Sequence, residues 1–164
     1  MADDIARELQ AYAGLPRFPD GRIDYSHADK APVLSCFVIY RGKVLLLKRS
    51  AKVRGYQGKW GTVAGYLDEP ISLEEKACKE LRQETGITRD QVERFAIGEP
   101  YDFEDAEIGR TWCIYPMLAV LKVPADVEID WEHTDYKWIE PLRLAEYDTV
   151  PRLAESLQRA LRAL

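Results

Sequence analysis

A chain of 164 residues is long enough for one well-packed core and too short for two comfortable domains. No apolar run approaches the roughly 18 residues of a membrane span, and a formal net charge of −5 argues against general affinity for nucleic-acid backbones. The N-terminus, "MADDIARELQAYAG", is acidic and amphipathic and does not read as a signal peptide, so a cytoplasmic protein with neither membrane nor nucleic-acid partners is expected.

In chain order, residues 3 to 13 predict a short helix with Ile5, Leu9 and Tyr12 on one side, and "GLPRFPDGRIDY" predicts a loop or hairpin; residues 1–30 thus form an extension of a single domain spanning 1–164. "VLSCFVIY" (33–40) and "KVLLLKR" (43–49) flank Arg41-Gly42, a hairpin signal between two apolar strands. A glycine-punctuated segment, 54–70, leads to a helix from Ser72 to about Thr85 that Gly86 ends. A strand near 93–99, an acidic loop "EPYDFEDAEIG", a long strand "RTWCIYPMLAVL" and a strand "TDYKWIE" follow. "VPRLAESLQRALRAL" closes the chain as an amphipathic helix with proline at its start. This order predicts an α/β fold with a mixed sheet between helices. The three cysteines, Cys36, Cys78 and Cys113, lie among apolar residues without CxxC spacing and read as reduced core thiols.

The helix after Ser72 carries an anomaly. Ser72 and Glu75 form a capping box, so its start is well defined. Stepping ~100° per residue from Glu80 places Leu73 near ~20°, Glu84 near ~40°, Ala77 near ~60° and Leu81 near ~100°. Glu84 therefore lies inside the apolar arc and Glu80 at its edge, while Glu75, Lys79, Arg82 and Gln83 face outward. Two acids four residues apart beside a core repel each other and lose hydration. Either they reach water at a rim beside Lys76 or Lys79, or they hold a hard divalent cation such as Mg2+ or Mn2+.

The segment "GYLDEPISLEEKACKELRQETGI" (65–87) resembles the signature of the Nudix hydrolases. Gly65 matches its first glycine, Glu80 the first glutamate of its late cluster, Leu81 the aliphatic position, Glu84 the final glutamate and Gly86-Ile87 the ending. Trp60 ahead of the box and "WIEPL" (138–142) extend the likeness over most of 33–164. The chain departs from the pattern at Ile71, where the family has its early glutamate, at Lys79, where it has arginine, and at Gln83, where it has the first of two paired glutamates. Asp68 and Glu69 lie close enough in sequence to replace the acid missing at Ile71, or they are only turn residues before Pro70.

The resemblance implies an α/β/α sandwich that cleaves a nucleoside diphosphate linked to another moiety with Mg2+ or Mn2+. It also implies Glu80 and Glu84 as metal ligands, aided by the backbone carbonyl of Ala64 or Gly65. Family members often add an acid from a later loop; Glu132 is the first choice among Glu128, Glu132 and Asp135, against the alternative of a solvated loop acid. The loop acids Asp102, Glu104 and Asp105 are poorer choices. Cations are needed for the phosphates, and Arg54 and Lys59 in the glycine-spaced loop, with Arg49 (and Lys48) at the strand end, are the candidates. Tyr56 is a candidate to stack on a base, with Tyr66, Trp60 and Trp112, the two tryptophans reading more readily as core. His27 and His133 stand isolated and receive no role. Family members are often dimers, so a homodimer is a further expectation. Two alternatives stand beside hydrolysis: a nucleotide-binding module with a degenerate box, and an isopentenyl diphosphate isomerase-like enzyme, for whose chemistry the three cysteines lack an evident setting.

Overall fold

The computed structural model describes residues 2–164, with side chains from residue 5 onward. Strand β1 (Lys30–Tyr40) and strand β2 (Lys43–Arg49) join through Arg41 and Gly42, both at positive φ. Strands β3 (Trp60–Gly61), β4 (Val63–Tyr66), β5 (Val92–Ile97), β6 (Tyr101–Asp105), β7 (Arg110–Leu121) and β8 (His133–Ile139) complete one mixed eight-stranded sheet. At its centre β1 runs parallel to β7, from Lys30 beside Thr111 to Ile39 beside Val120. The other pairings are antiparallel.

The two central strands each share their outer edge between two partners. β4 pairs with β1 over Val33–Cys36 and β2 pairs at Ile39 and Tyr40. On β7, β6 reaches Ile114 and β5 begins at Met117. Pro116 falls at this changeover, where a missing N–H breaks no ladder bond. The acidic segment expected as a loop therefore contains strand β6, with a turn only after Asp105. Tyr101, Phe103 and Asp105 turn inward while Asp102 and Glu104 stay exposed, the two-residue alternation of a strand with one wet face.

Helices cover both faces. Helix α1 (Ala2–Leu9), continued by a 3-10 turn at Gln10–Tyr12, lies on one side with helix α2 (Leu73–Thr85), and helix α3 (Leu153–Arg162) lies on the other. Leu45 and Leu47 join Ile5, Tyr12, Ala77 and Leu81 in one core, whereas Val44 and Leu46 join Leu153, Leu157 and Ala160 in the other. Burial on both faces explains why β2 reads as an unbroken apolar run. The expected α/β/α sandwich is thus present. Pro151 stands two residues ahead of α3 rather than inside it, and a 3-10 helix at Pro141–Glu146 was not foreseen.

Helix α2 is held at both ends. The Ser72 hydroxyl accepts the Glu75 N–H at 3.1 Å, and Gly86 closes the helix at φ 76°, where a Cβ is strained. The extension before β1 contains a small hairpin, Arg17 opposite Ile23, that is tied to the loop after β4. There the Ile23 N–H donates to the Asp68 carbonyl at 3.0 Å and the Tyr25 hydroxyl to the Leu67 carbonyl at 2.7 Å. Ser72→Ala and Gly86→Ala are each expected to lower stability by about 1 kcal/mol, read as a lower urea midpoint at unchanged slope.

Candidate active site

The site is built around the acid that α2 turns inward. Glu84 is 1% exposed, because Ala77 and Leu81 on the same stripe dock against the sheet and carry it in with them. Its Oε2 is buried without a hydrogen-bond partner, and its Oε1 lies 3.8 Å from His133 Nε2. Burial first, then the charges of Glu132 and Glu80, push its carboxyl well above the ordinary range, and the Ala64 backbone opposes this. Glu80 is raised too, chiefly by burial, while the hydrogen bond it shares with Glu84 and the nearby Lys76 favour its charged form. Without a cation, Glu84 is the member of the pair that keeps the proton.

Gly65 on β4 makes this packing possible. A Cβ there would stand 2.6 Å from Glu80 Cδ, so the carboxyl rests on the bare backbone of the strand. Opposite, the pairing of β2 with β8 slips between Lys48 and Arg49. Such a bulge re-aims side chains at the end of a strand. Beyond it the Ser50 N–H donates to the Glu132 carbonyl at 2.8 Å, fixing the segment that enters β8. Burial, then Asp130 and Glu80, push the Glu132 carboxyl up to about 7, against the pull of Arg49. Arg49, half-buried, donates Nε–H to the Gly55 carbonyl at 2.9 Å and faces the charges of Glu132 and Glu84. The fold places Glu80, Glu84, Glu132 and Arg49 near one another.

His133 does not stand alone. It is buried with Nε2 toward Glu84 and Nδ1 3.5 Å from Asp130 Oδ1, and burial lowers its pKa. Nothing in "WEHTDY" marks it, since only the β2–β8 register carries it to Glu84. Lys76, expected beside the acids at a wet rim, is instead buried. Its side chain is 3% exposed, with Nζ 2.7 Å from Asp68, 3.2 Å from Glu69 and 3.6 Å from Glu80. Asp68 and Glu69 are therefore partners of lysines, Glu69 also meeting Lys79 at 2.8 Å, rather than free turn residues.

The remaining candidates are spread out. Lys59 is paired with Asp148 at 2.9 Å, and Arg54 is exposed on its loop. The Tyr56 hydroxyl donates to Asp105 and accepts from the Trp112 indole, so Asp105 belongs to an aromatic corner. In that corner Tyr66 lies 6.1 Å from Trp112. Glu128 packs beside Gly86 at the end of α2, and Asp135 is exposed on β8. Cys36 and Cys113 are buried, with burial pushing the Cys113 thiol up to about 11, which leaves no ready thiolate for isomerase chemistry.

The donor set fits a hard divalent cation: carboxylate oxygens from a helix and from a facing loop, one of them orphaned in the interior. Among the described residues, no three His, Cys, Asp or Glu side chains close around a single point. That openness suits an ion such as Mg2+, which keeps waters and shares phosphate oxygens instead of filling a protein cage.

Residues 29–160 match the NUDIX domain family, and the chain belongs to that family of hydrolases. It is similar to the nucleoside triphosphatase NudI of Escherichia coli O81 (strain ED1a), 28% identical over 125 residues that make up 69% of this chain and 84% of the relative. The MutT protein of Methanosarcina mazei Go1 is 25% identical, with a TM-score of 0.67 over 83% of this chain and 96% of that one. A bifunctional NMN adenylyltransferase/ADP ribose pyrophosphatase of Francisella tularensis, complexed with AMP and a Mn ion, shares the fold at 15% identity. Its TM-score is 0.68, and the match covers 98% of this chain and 46% of that chain. Among the described residues no helix is long and apolar enough to cross a membrane.

The raised pKa of Glu132 has a consequence for stability. A carboxyl lifted from about 4.5 unfolded to about 7 folded binds more protons in the native state between those values. Its contribution is fully present below about 4.5 and is lost as pH rises through about 7. In metal-free protein, Glu132→Gln is therefore expected to gain stability relative to wild type as pH rises from about 4.5 to about 7. Thermal melts of both proteins across that range check it.

Proposed function

We propose that the chain hydrolyses a phosphoanhydride bond in a nucleoside diphosphate linked to another moiety, with Mg2+ or Mn2+. The observation that carries this reading is the orphaned, buried Glu84 carboxyl facing two further acids. An uncompensated acid in that position costs several kcal/mol as an anion. A divalent cation removes that cost.

In this reading Glu84 and Glu80 offer oxygens from α2, Glu132 from the opposite loop, and the Ala64 or Gly65 carbonyl from β4. When bound, the cation neutralises phosphate oxygens and lowers the pKa of a bound water. Glu132, brought in from the opposite loop beside Arg49, takes the proton of the attacking water. Arg49 holds its guanidinium at this edge of the site and orients the diphosphate. Arg54, exposed on the loop after β2, is the cation offered to the rest of the substrate, and the Tyr66–Trp112 pair offers aromatic surface for a base. The related NudI is named a nucleoside triphosphatase, which makes nucleoside triphosphates the first compounds to try.

Phosphorus NMR on a panel of nucleoside triphosphates and nucleoside diphosphate derivatives is expected to show cleavage that needs Mg2+ or Mn2+. Glu84→Gln is expected to lower kcat/KM at least about 100-fold, roughly 2.7 kcal/mol of transition-state stabilisation. Metal-enhanced nucleotide binding with no turnover in the wild type would instead establish the binding module, the reading favoured by Ile71 and Gln83 at acid positions. Gly65→Ala is expected to leave the melting temperature within a few degrees, because the clash falls on the end of a flexible side chain. Its kcat is nevertheless expected to fall, since Glu80 must swing off β4.

A further inference from the structure

Lys76, Glu80 and Glu84 stand at successive four-residue steps on α2, in one row along the helix. Glu84 closes one flank of Glu80 and shares a hydrogen bond with it. The other flank is closed by the Lys76 ammonium, 3.6 Å from Glu80 Oε1. That ammonium is almost sealed from solvent, and Asp68 and Glu69 fix it at 2.7 and 3.2 Å. Asp68 in turn is anchored through its carbonyl to the hairpin of the N-terminal extension, and its carboxylate lies 3.9 Å from Arg22. Lys79 completes the set by pairing with Glu69. Asp20, Glu69 and Glu80 face Arg22, Lys76 and Lys79 around a groove of about 310 Å³ that Gln83 also lines.

We infer that Lys76 is a fixed counter-cation for Glu80 that takes the place of a second divalent ion, leaving one divalent cation on the Glu84–Glu132 side. The inference rests on the hydrolase reading above. Its physical basis is charge balance. A divalent ion on the groove flank of Glu80 would stand against a buried ammonium that Asp68, Glu69 and Glu80 already hold at 2.7, 3.2 and 3.6 Å. Asp68 and Glu69 meet the ammonium directly in its buried position. Gln83, at the lip of the same groove, adds no charge to attract a second ion. Lys76 acts through Glu80 and is a positioning residue.

The test counts bound ions by titrating metal-free protein with Mn2+ and following the free ion by electron paramagnetic resonance. Wild type is expected to bind one Mn2+ per chain. Lys76→Met, which keeps the stem and removes the charge, is expected to bind two, because Asp68, Glu69 and Glu80 then lose the ammonium buried between them. If that variant fails to fold, Lys76→Met combined with Asp68→Asn removes one charge of each sign and is still expected to take the second ion, more weakly. A wild type that binds two, or a folded variant that stays at one, overturns the role of Lys76 and leaves the hydrolase reading standing. Absence of bound Mn2+ from wild type and variant alike overturns both.

Discussion

One buried charge organises this molecule. The Glu84 carboxyl enters the interior because it shares a helical stripe with Leu73, Ala77 and Leu81, whose docking on the sheet drives the helix into place. Burial of that stripe is favourable by about 25 cal/mol for each Å² of apolar surface, so the helix docks even though one acid travels with it. The acid then has two routes to relief: it keeps a proton, or it faces a cation. In the proposed hydrolase the divalent cation supplies the second route.

The surroundings of Glu84 are arranged to keep that tension in place. Glu80 rests on the bare backbone of Gly65, Glu132 comes in from the segment before β8, and each acid raises the cost of ionising the others. Arg49 offsets the charges of Glu132 and Glu84 from the strand side, and His133 stands beside Glu84 without closing on the orphaned oxygen. The central sheet supplies the rigidity. β4 is paired along β1, and β2 holds β8 through a register that changes where the side chains must turn inward.

On the other flank of Glu80 the chain has a different solution from the family pattern. Ile71 and Gln83 stand where acids are usual, and the charges are supplied by the loop pair Asp68 and Glu69 with Lys76 and Lys79. The N-terminal extension becomes part of this solution, because its hairpin bonds the backbone that presents Asp68. The extension lies outside residues 29–160, which match the family, yet it supports the helix that carries the site.

What the sequence determined by itself was local and periodic. The unbroken apolar run of β2, the capping box at Ser72, the left-handed stop at Gly86 and the angular position of Glu84 beside Leu81 all follow from spacing within a few residues. Five of the eight strands, β1, β2, β5, β7 and β8, and a mixed sheet between helices follow from those patterns. The α/β/α sandwich is implied by the family resemblance, and the shared face of Glu80 and Glu84 follows from helix geometry. Tertiary structure alone decided the rest. β6 is a strand because β7 offers it an edge, although its acids read as a loop. His133 meets Glu84 only through the β2–β8 register, and Lys76 is buried only because the loop before α2 folds back over it. Contacts between distant segments depend on register and loop path, which short-range spacing does not encode.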